Sequence, residues 1–196
     1  MIPRVLLVDY GEVVSQSQPP EAISAMAELA GLDQQLFLER YWEHRPSHDQ
    51  GGSAREFWSA VIGIELTDEP LLAELVRLDV AGWSDLNPDT LTVLSDAHRR
   101  GVTLALLSNA PHEVAVAVRA DPALAIFDHL SFSAELGVVK PDPAAFSAVL
   151  EILDVAPSEV LFVDDRPENV AAAIESGMRA VRFSSAERLA DTLRAL

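Results

Sequence analysis

The sequence predicts an α/β fold with a parallel sheet and an inserted helical module, on three observations. Short, continuously apolar segments recur along the chain, as expected of strands buried on both faces. Helix-period segments with their own start and stop residues lie between them, which favours a doubly wound layer. Residues 16–84 break that rhythm and show helical periodicity without a convincing strand.

Val5 to Val8 is the first apolar segment. Thr103 to Leu107, His129 to Phe132 and Val160 to Val163 follow, and Ala180 to Phe183 reads as a fifth. Asn87-Pro88 supplies a cap and a first helical residue for a run that ends in Arg100 and Gly101. Asp142-Pro143 opens another helix, and Arg166-Pro167-Glu168 opens a third that stops at Gly177. The expected division is a core of 1–15 and 85–196 and a helical module of 16–84. Within the module the periodic positions are Ile23, Met26 and Leu29, then Leu36, Phe37 and Tyr41, then Phe57, Val61 and Ile62, then Leu72, Leu75 and Val76. Its middle, Arg45-Pro46-Ser47-His48-Asp49-Gln50-Gly51-Gly52-Ser53, is polar and rich in turn residues, and is expected to be a mobile loop between two helix pairs. Trp42, Trp58 and Trp83 are expected as core or hinge packing.

Composition narrows the function. The chain has 196 residues, about half of them apolar, enough for one substantial core with a small insertion. Its formal charge of −17 repels polyanions, so neither nucleic acid nor an anionic membrane is an expected partner. A small phosphorylated metabolite remains compatible, because a divalent cation and one lysine reverse the potential locally. With no cysteine there is no disulfide, thiolate metal site or cysteine nucleophile, and a cytoplasmic location is the default expectation. The apolar stretch before Asp9 is too brief for a signal sequence, and no run approaches the roughly 20 residues of a membrane helix. Oligomeric state is left open, a homo-oligomer included.

Polar residues appear where the buried segments end: Asp9, Ser108 with Asn109, and Asp164 with Asp165. Ligands of open parallel sheets bind beyond the carboxyl ends of the strands, so these residues should converge. Three carboxylates brought together repel one another unless a cation intervenes, and an all-oxygen set favours magnesium over zinc. Lys140 adds a fixed positive charge and Ser108 a hydroxyl donor. Taken singly, each residue has an ordinary structural explanation, such as a strand end or a helix cap. An adjacent acidic pair in register with the other strand ends does not.

These residues resemble the motifs of the haloacid-dehalogenase-like hydrolases. Val5-Leu6-Leu7-Val8-Asp9-Tyr10-Gly11-Glu12-Val13-Val14 is similar to the first, Leu107-Ser108-Asn109 to the second, Val139-Lys140-Pro141-Asp142 to the third, and Phe162-Val163-Asp164-Asp165-Arg166-Pro167-Glu168-Asn169 to the fourth. The resemblance implies a Rossmann-like sheet of order 5-4-1-2-3 and a helical cap between the first two motifs. It implies that Asp9 attacks phosphorus to form an aspartyl-phosphate, with Ser108 and Lys140 gripping the transferring group. It places magnesium on Asp9, the Gly11 carbonyl and Asp165, with Asp164 nearby, and has Asn169 orient that shell. Asn109, Arg45 and His48 are the candidate substrate-binding residues, the last two because they are polar and turn-borne. His44 or His48 is a candidate to approach the leaving group.

One departure stands out. Many phosphatases of the family carry a second aspartate two residues after the nucleophile, as general acid and base; here that residue is Gly11. Two other readings follow: a metal-independent dehalogenase with the same nucleophile, and a catalytically weak member that binds a ligand or accepts a phosphoryl group. A receiver-type signalling domain shares the residue types but places its acidic pair on the first strand, whereas here the pair comes last.

Overall fold

The computed structural model describes residues 3–195. Five parallel strands, β1 (Val5–Val8), β2 (Thr103–Ser108), β3 (His129–Phe132), β4 (Val160–Asp164) and β5 (Arg179–Arg182), form one sheet of order β3-β2-β1-β4-β5. This is the expected order, read from the opposite edge. β1 lies at the centre because all four of its residues are apolar and buried. Its Val5 is in register with Thr103 on one side and Val160 on the other.

Successive side chains on a strand point to opposite faces, and the two faces here have separate cores. Leu6, Val8, Leu104 and Leu106 belong to one cluster; Val5, Leu7, Ala105 and Leu107 belong to the other. Helices cover both faces: α5 (Pro88–Arg99), α6 (His112–Ala120), α7 (Ser133–Leu136), α8 (Pro143–Leu153), α9 (Pro167–Glu175) and α10 (Ala186–Arg194). The starts read from the sequence are real caps. The Asn87 side chain accepts from Thr90 N at 3.1 Å, and the Asp142 side chain accepts from Ala144 N at 2.8 Å.

Two strand ends and one whole strand shift from expectation. Ser108 and Asp164 are the last ladder residues of β2 and β4, paired with Phe132 and Arg182 respectively. β5 begins one residue earlier than expected and ends before Phe183. It is a sparsely buried edge strand bounded by arginines, so its apolar signal is weak.

Between β1 and α5 the chain forms α1 (Pro20–Leu29), α2 (Gln34–Asp49), α3 (Ala54–Ile62) and α4 (Glu69–Gly82), packed around a cluster that includes Met26, Phe37, Tyr41, Trp58 and Leu75. A single antiparallel bridge, Ser15 to Leu86, joins the chain where it leaves and returns. The expected loop at 45–53 is largely helix: α2 runs through Pro46 to Asp49, and Ser53 already caps α3 in a reciprocal pair with Glu56. Arg45, His48 and Asp49 are buried there, with Arg45 paired to Asp49, while Ser47, Gln50 and Ser53 stay exposed; the turn-rich composition conceals the buried part. Among the described residues no helix is long and apolar enough to cross a membrane.

Candidate active site

The carboxyl ends of β1, β2 and β4 bring Asp9, Ser108, Asp164 and Asp165 to one edge of the sheet, and the segment before α8 adds Lys140. Asp9 is nearly buried, and its Oδ1 accepts both the Tyr10 N–H and the Lys140 ammonium, each at 2.7 Å. These two contacts fix the carboxylate's orientation. Lys140, the chain's one lysine, is 3 % exposed and also donates to Asp164 Oδ2 at 2.8 Å.

The adjacent acids have different surroundings. Asp164 is fully buried; its Oδ1 accepts from Arg166 N at 2.9 Å, and Asn169 Nδ2 lies 3.0 Å from both of its oxygens. Its carboxylate is therefore committed to Lys140, Asn169 and the β4–α9 turn. Asp165 is only partly buried. Oxygens of Asp9, Asp164 and Asp165 lie within 4.8 Å of one another, close enough to share a metal ion.

Electrostatics support a cation at this place. Burial pushes the Asp9 carboxyl up from 3.8 to about 7, with Asp164 adding to the rise and Lys140 opposing it. Burial also raises Asp165, reinforced by Asp164 and Glu12. Burial alone would lower the Lys140 ammonium, but Asp9 and Asp164 together hold it above its ordinary value. One ammonium thus serves a cluster of three carboxylates, with Glu12 adding negative charge beside Asp165, and the donor set is all hard oxygen. A divalent cation fits both the charge and the chemistry.

The structure places the other sequence candidates elsewhere. Asn109 Nδ2 donates to Lys140 O and its Oδ1 accepts from Lys140 N, both at 2.8 Å, so its amide positions the lysine's backbone. Arg45 is buried in the insertion, bonded to Asp49 Oδ1 at 2.7 Å, to Asp79 Oδ2 at 3.1 Å and to the Tyr41 hydroxyl. His48 is buried, stacked on Phe57 with centroids 4.4 Å apart, and its Nε2 lies 3.3 Å from Glu113 Oε2 on the core helix α6. Neither residue is on an open loop, and the Arg45 guanidinium is committed to Asp49 and Asp79. Trp58 is core as expected, whereas Trp42 is 51 % exposed.

Two features had little sequence signal. Glu12 adopts a left-handed backbone with φ 58°, uncommon for a residue other than glycine, so the turn leaving β1 is not extended. A Cβ built on Gly11 would meet the ring of Trp83 at 3.5 Å, a neighbour 72 positions away in sequence.

A parallel α/β sheet with a lysine-neutralised carboxylate centre at its strand ends defines the general class. The chain belongs to the haloacid dehalogenase-like hydrolases, whose family model matches residues 4–177. It is 36 % identical over 111 residues to a phosphatase of Mycobacterium tuberculosis, covering 55 % of this chain and 50 % of that protein. It is 29 % identical over 171 residues to an (S)-2-haloacid dehalogenase of Pseudomonas, covering 80 % and 71 % respectively. A HAD family enzyme of Bacteroides thetaiotaomicron, solved as its magnesium complex, superposes with a TM-score of 0.80 at 21 % identity, over 99 % of this chain and 100 % of that one. The chain spans half or less of the length of several curated relatives that it matches.

Proposed function

We propose that this chain is a magnesium-dependent phosphatase that hydrolyses a small phosphate monoester, with Asp9 as the nucleophile. The observation that carries the reading is the shared contact of Asp9 and Asp164 with Lys140 beside a third, more open carboxylate, Asp165. Likeness to a phosphatase supports it from outside.

In this reading a carboxylate oxygen of Asp9 attacks phosphorus, the phosphorus–oxygen ester bond breaks, and the leaving oxygen departs with its electron pair. Water then attacks the aspartyl-phosphate at phosphorus, restoring Asp9 and releasing inorganic phosphate. Lys140 and the Ser108 hydroxyl hold the transferring oxygens as charge builds on them. Asp9, Asp165 and the Gly11 carbonyl would hold magnesium, which when bound supplies positive charge to an anionic substrate approaching an anionic nucleophile. Asp164, with Asn169 behind it, keeps Lys140 charged and aimed.

With Gly11 in place of a side chain, that position offers no proton to the leaving oxygen, which favours esters of acidic alcohols. Turnover of a phosphate ester should need added magnesium and fall by at least about a hundredfold in Asp9→Asn, on the scale seen when a nucleophile is removed. Undiminished turnover in that variant, measured as phosphate release, would refute the assignment. The second reading, displacement of halide from a 2-haloacid, rests on the dehalogenase likeness. Halide release that persists with chelator present would favour it.

A further inference from the structure

The turn after β2 carries three consecutive residues with separate duties. Ser108 supplies a hydroxyl at the strand end, and Asn109 bonds both backbone polar atoms of Lys140. Ala110, buried, donates its N–H to the Ser133 hydroxyl at 2.9 Å. Ser133 is 1 % exposed and opens α7 directly after β3, the strand beside β2.

The single proton of that hydroxyl goes to the main-chain oxygen of Asp49, the last residue of α2. One buried side chain is thus shared between the turn that leaves the site and the inserted module, 84 positions away in sequence. A second acceptor is at hand: Ala110 O lies 3.5 Å from the same hydroxyl. Were the end of α2 to move off, the proton could rotate to Ala110 O, and Asp49 O, a carbonyl of a last helical turn, would be hydrated. The joint therefore opens without leaving a buried donor unpaired, the costly case for a hydrogen bond.

Other contacts converge on the same seat. Gln50 Nε2 donates to Gly137 O at 3.0 Å, and His48 approaches Glu113, three residues beyond Ala110. Gly51, with φ 107°, lets the backbone pass where a Cβ would stand 3.1 Å from Ala134 O. From this seat a continuous route leads to the carboxylates: Asp49 to Ser133, to Ala110, to Asn109, to the Lys140 backbone, whose ammonium meets Asp9 and Asp164.

We infer that Ser133 is a positioning residue, holding Ser108 and Lys140 in line for the transferring phosphoryl group while the end of α2 is seated on the core. The inserted module and the catalytic turn are then energetically linked. A ligand that needs Ser108 and Lys140 aligned favours the seated α2, and seating prepares the site for that ligand. The inference rests on the phosphatase reading and gives Ser133 no contact with substrate.

Ser133→Ala leaves Ala110 N–H and Asp49 O unpaired. In the magnesium-loaded protein it is expected to lower kcat for phenyl phosphate about thirtyfold, the scale of a small misplacement at reacting groups, with KM within about twofold. Orthovanadate, whose five-coordinate form imitates phosphorus during transfer, should bind about tenfold more weakly, and inorganic phosphate should change by no more than about twofold. Ser133→Thr keeps the hydroxyl and should recover most of both losses. In an Asn109→Ala background, where the route is already cut, Ser133→Ala should cost no more than about threefold. Hydrogen exchange at the amides of 50–52 should slow when magnesium and phosphate bind the wild-type chain, and Ser133→Ala should abolish that response.

Unchanged kcat and vanadate affinity in folded Ser133→Ala, full additivity with Asn109→Ala, or an exchange response that survives the substitution each overturns the inference and leaves the phosphatase reading standing. If Ser133→Ala does not fold, Gly51→Ala unseats α2 against Ala134 O with Ser133 intact, and an undiminished kcat there overturns it equally. If the wild-type chain neither turns over the ester nor binds phosphate or vanadate, the phosphatase reading itself fails and the inference falls with it.

Discussion

Asp164 and Asp165 are neighbours in sequence with opposite relations to stability. Asp164 is fully buried and is one of two anions against a buried ammonium, so removing it strands Lys140 with a single partner. Asp164→Ala is expected to lower unfolding stability by about 3–5 kcal/mol, the usual cost of breaking a buried pair. Asp165→Asn is expected to raise the stability of magnesium-free protein, because burial and the charges of Asp164 and Glu12 work against the ionised form of Asp165. Urea midpoints of both variants in chelator check the pair; the same sign for both would contradict the division of labour. The sequence showed that two acids end the fourth strand, since strand ends and residue types are local information. It did not show which acid faces inward, because that depends on Asn169 and Lys140 arriving from other elements. Asn109 was ambiguous for the same reason: its side chain bonds the backbone of Lys140, a contact that a polar residue beside a site does not announce in sequence.

Elements with their own punctuation were legible, and those stabilised by distant partners were not. The capped helices α5 and α8 follow directly from Asn87-Pro88 and Asp142-Pro143. The end of α2 does not, because Pro46 and the polar run around it signal a loop unless Asp79, on α4, is known to lie opposite Arg45. Tyr41, Arg45, Asp79 and Gln18 form one buried polar group that ties α2, α4 and the chain entering α1. Burial holds the Tyr41 phenol well above its ordinary value, so it stays a neutral donor there. Arg45→Ala is therefore expected to destabilise the fold by about 3–5 kcal/mol through two stranded carboxylates. KM for a phosphate ester, measured well below the unfolding temperature, should stay within about twofold, a spread of roughly 0.4 kcal/mol. A large rise in KM with intact stability would return Arg45 to the substrate.

For the whole molecule, the expected consequence of gathering acids under little compensation is a stability that varies with pH and, on the magnesium reading, with metal. The Asp9 carboxyl is raised from 3.8 to about 7 by burial, so between these values the folded chain binds more protons than the unfolded one. Stability of magnesium-free protein is thus expected to fall as pH rises from about 4 to 7. Asp165 acts with the same sign. Carboxyls held low, such as Glu56 and Glu159, bonded to Ser53 and Ala156 respectively, change stability only below their ordinary 4.5. Thermal midpoints at pH 5 and pH 7.5 in chelator should show the decline. Asp9→Asn should flatten it, and magnesium should oppose it. An equally steep decline in Asp9→Asn would place its origin elsewhere.

The solitary lysine has a practical meaning. Positively charged side chains elsewhere are guanidinium groups or histidines, so selective 15N-lysine labelling of this chain would yield a single side-chain ammonium resonance, arising beside the Asp9 and Asp164 carboxylates. That nucleus would report arrival of a cation or a phosphate from inside the site, in a spectrum with no other side-chain amine to assign.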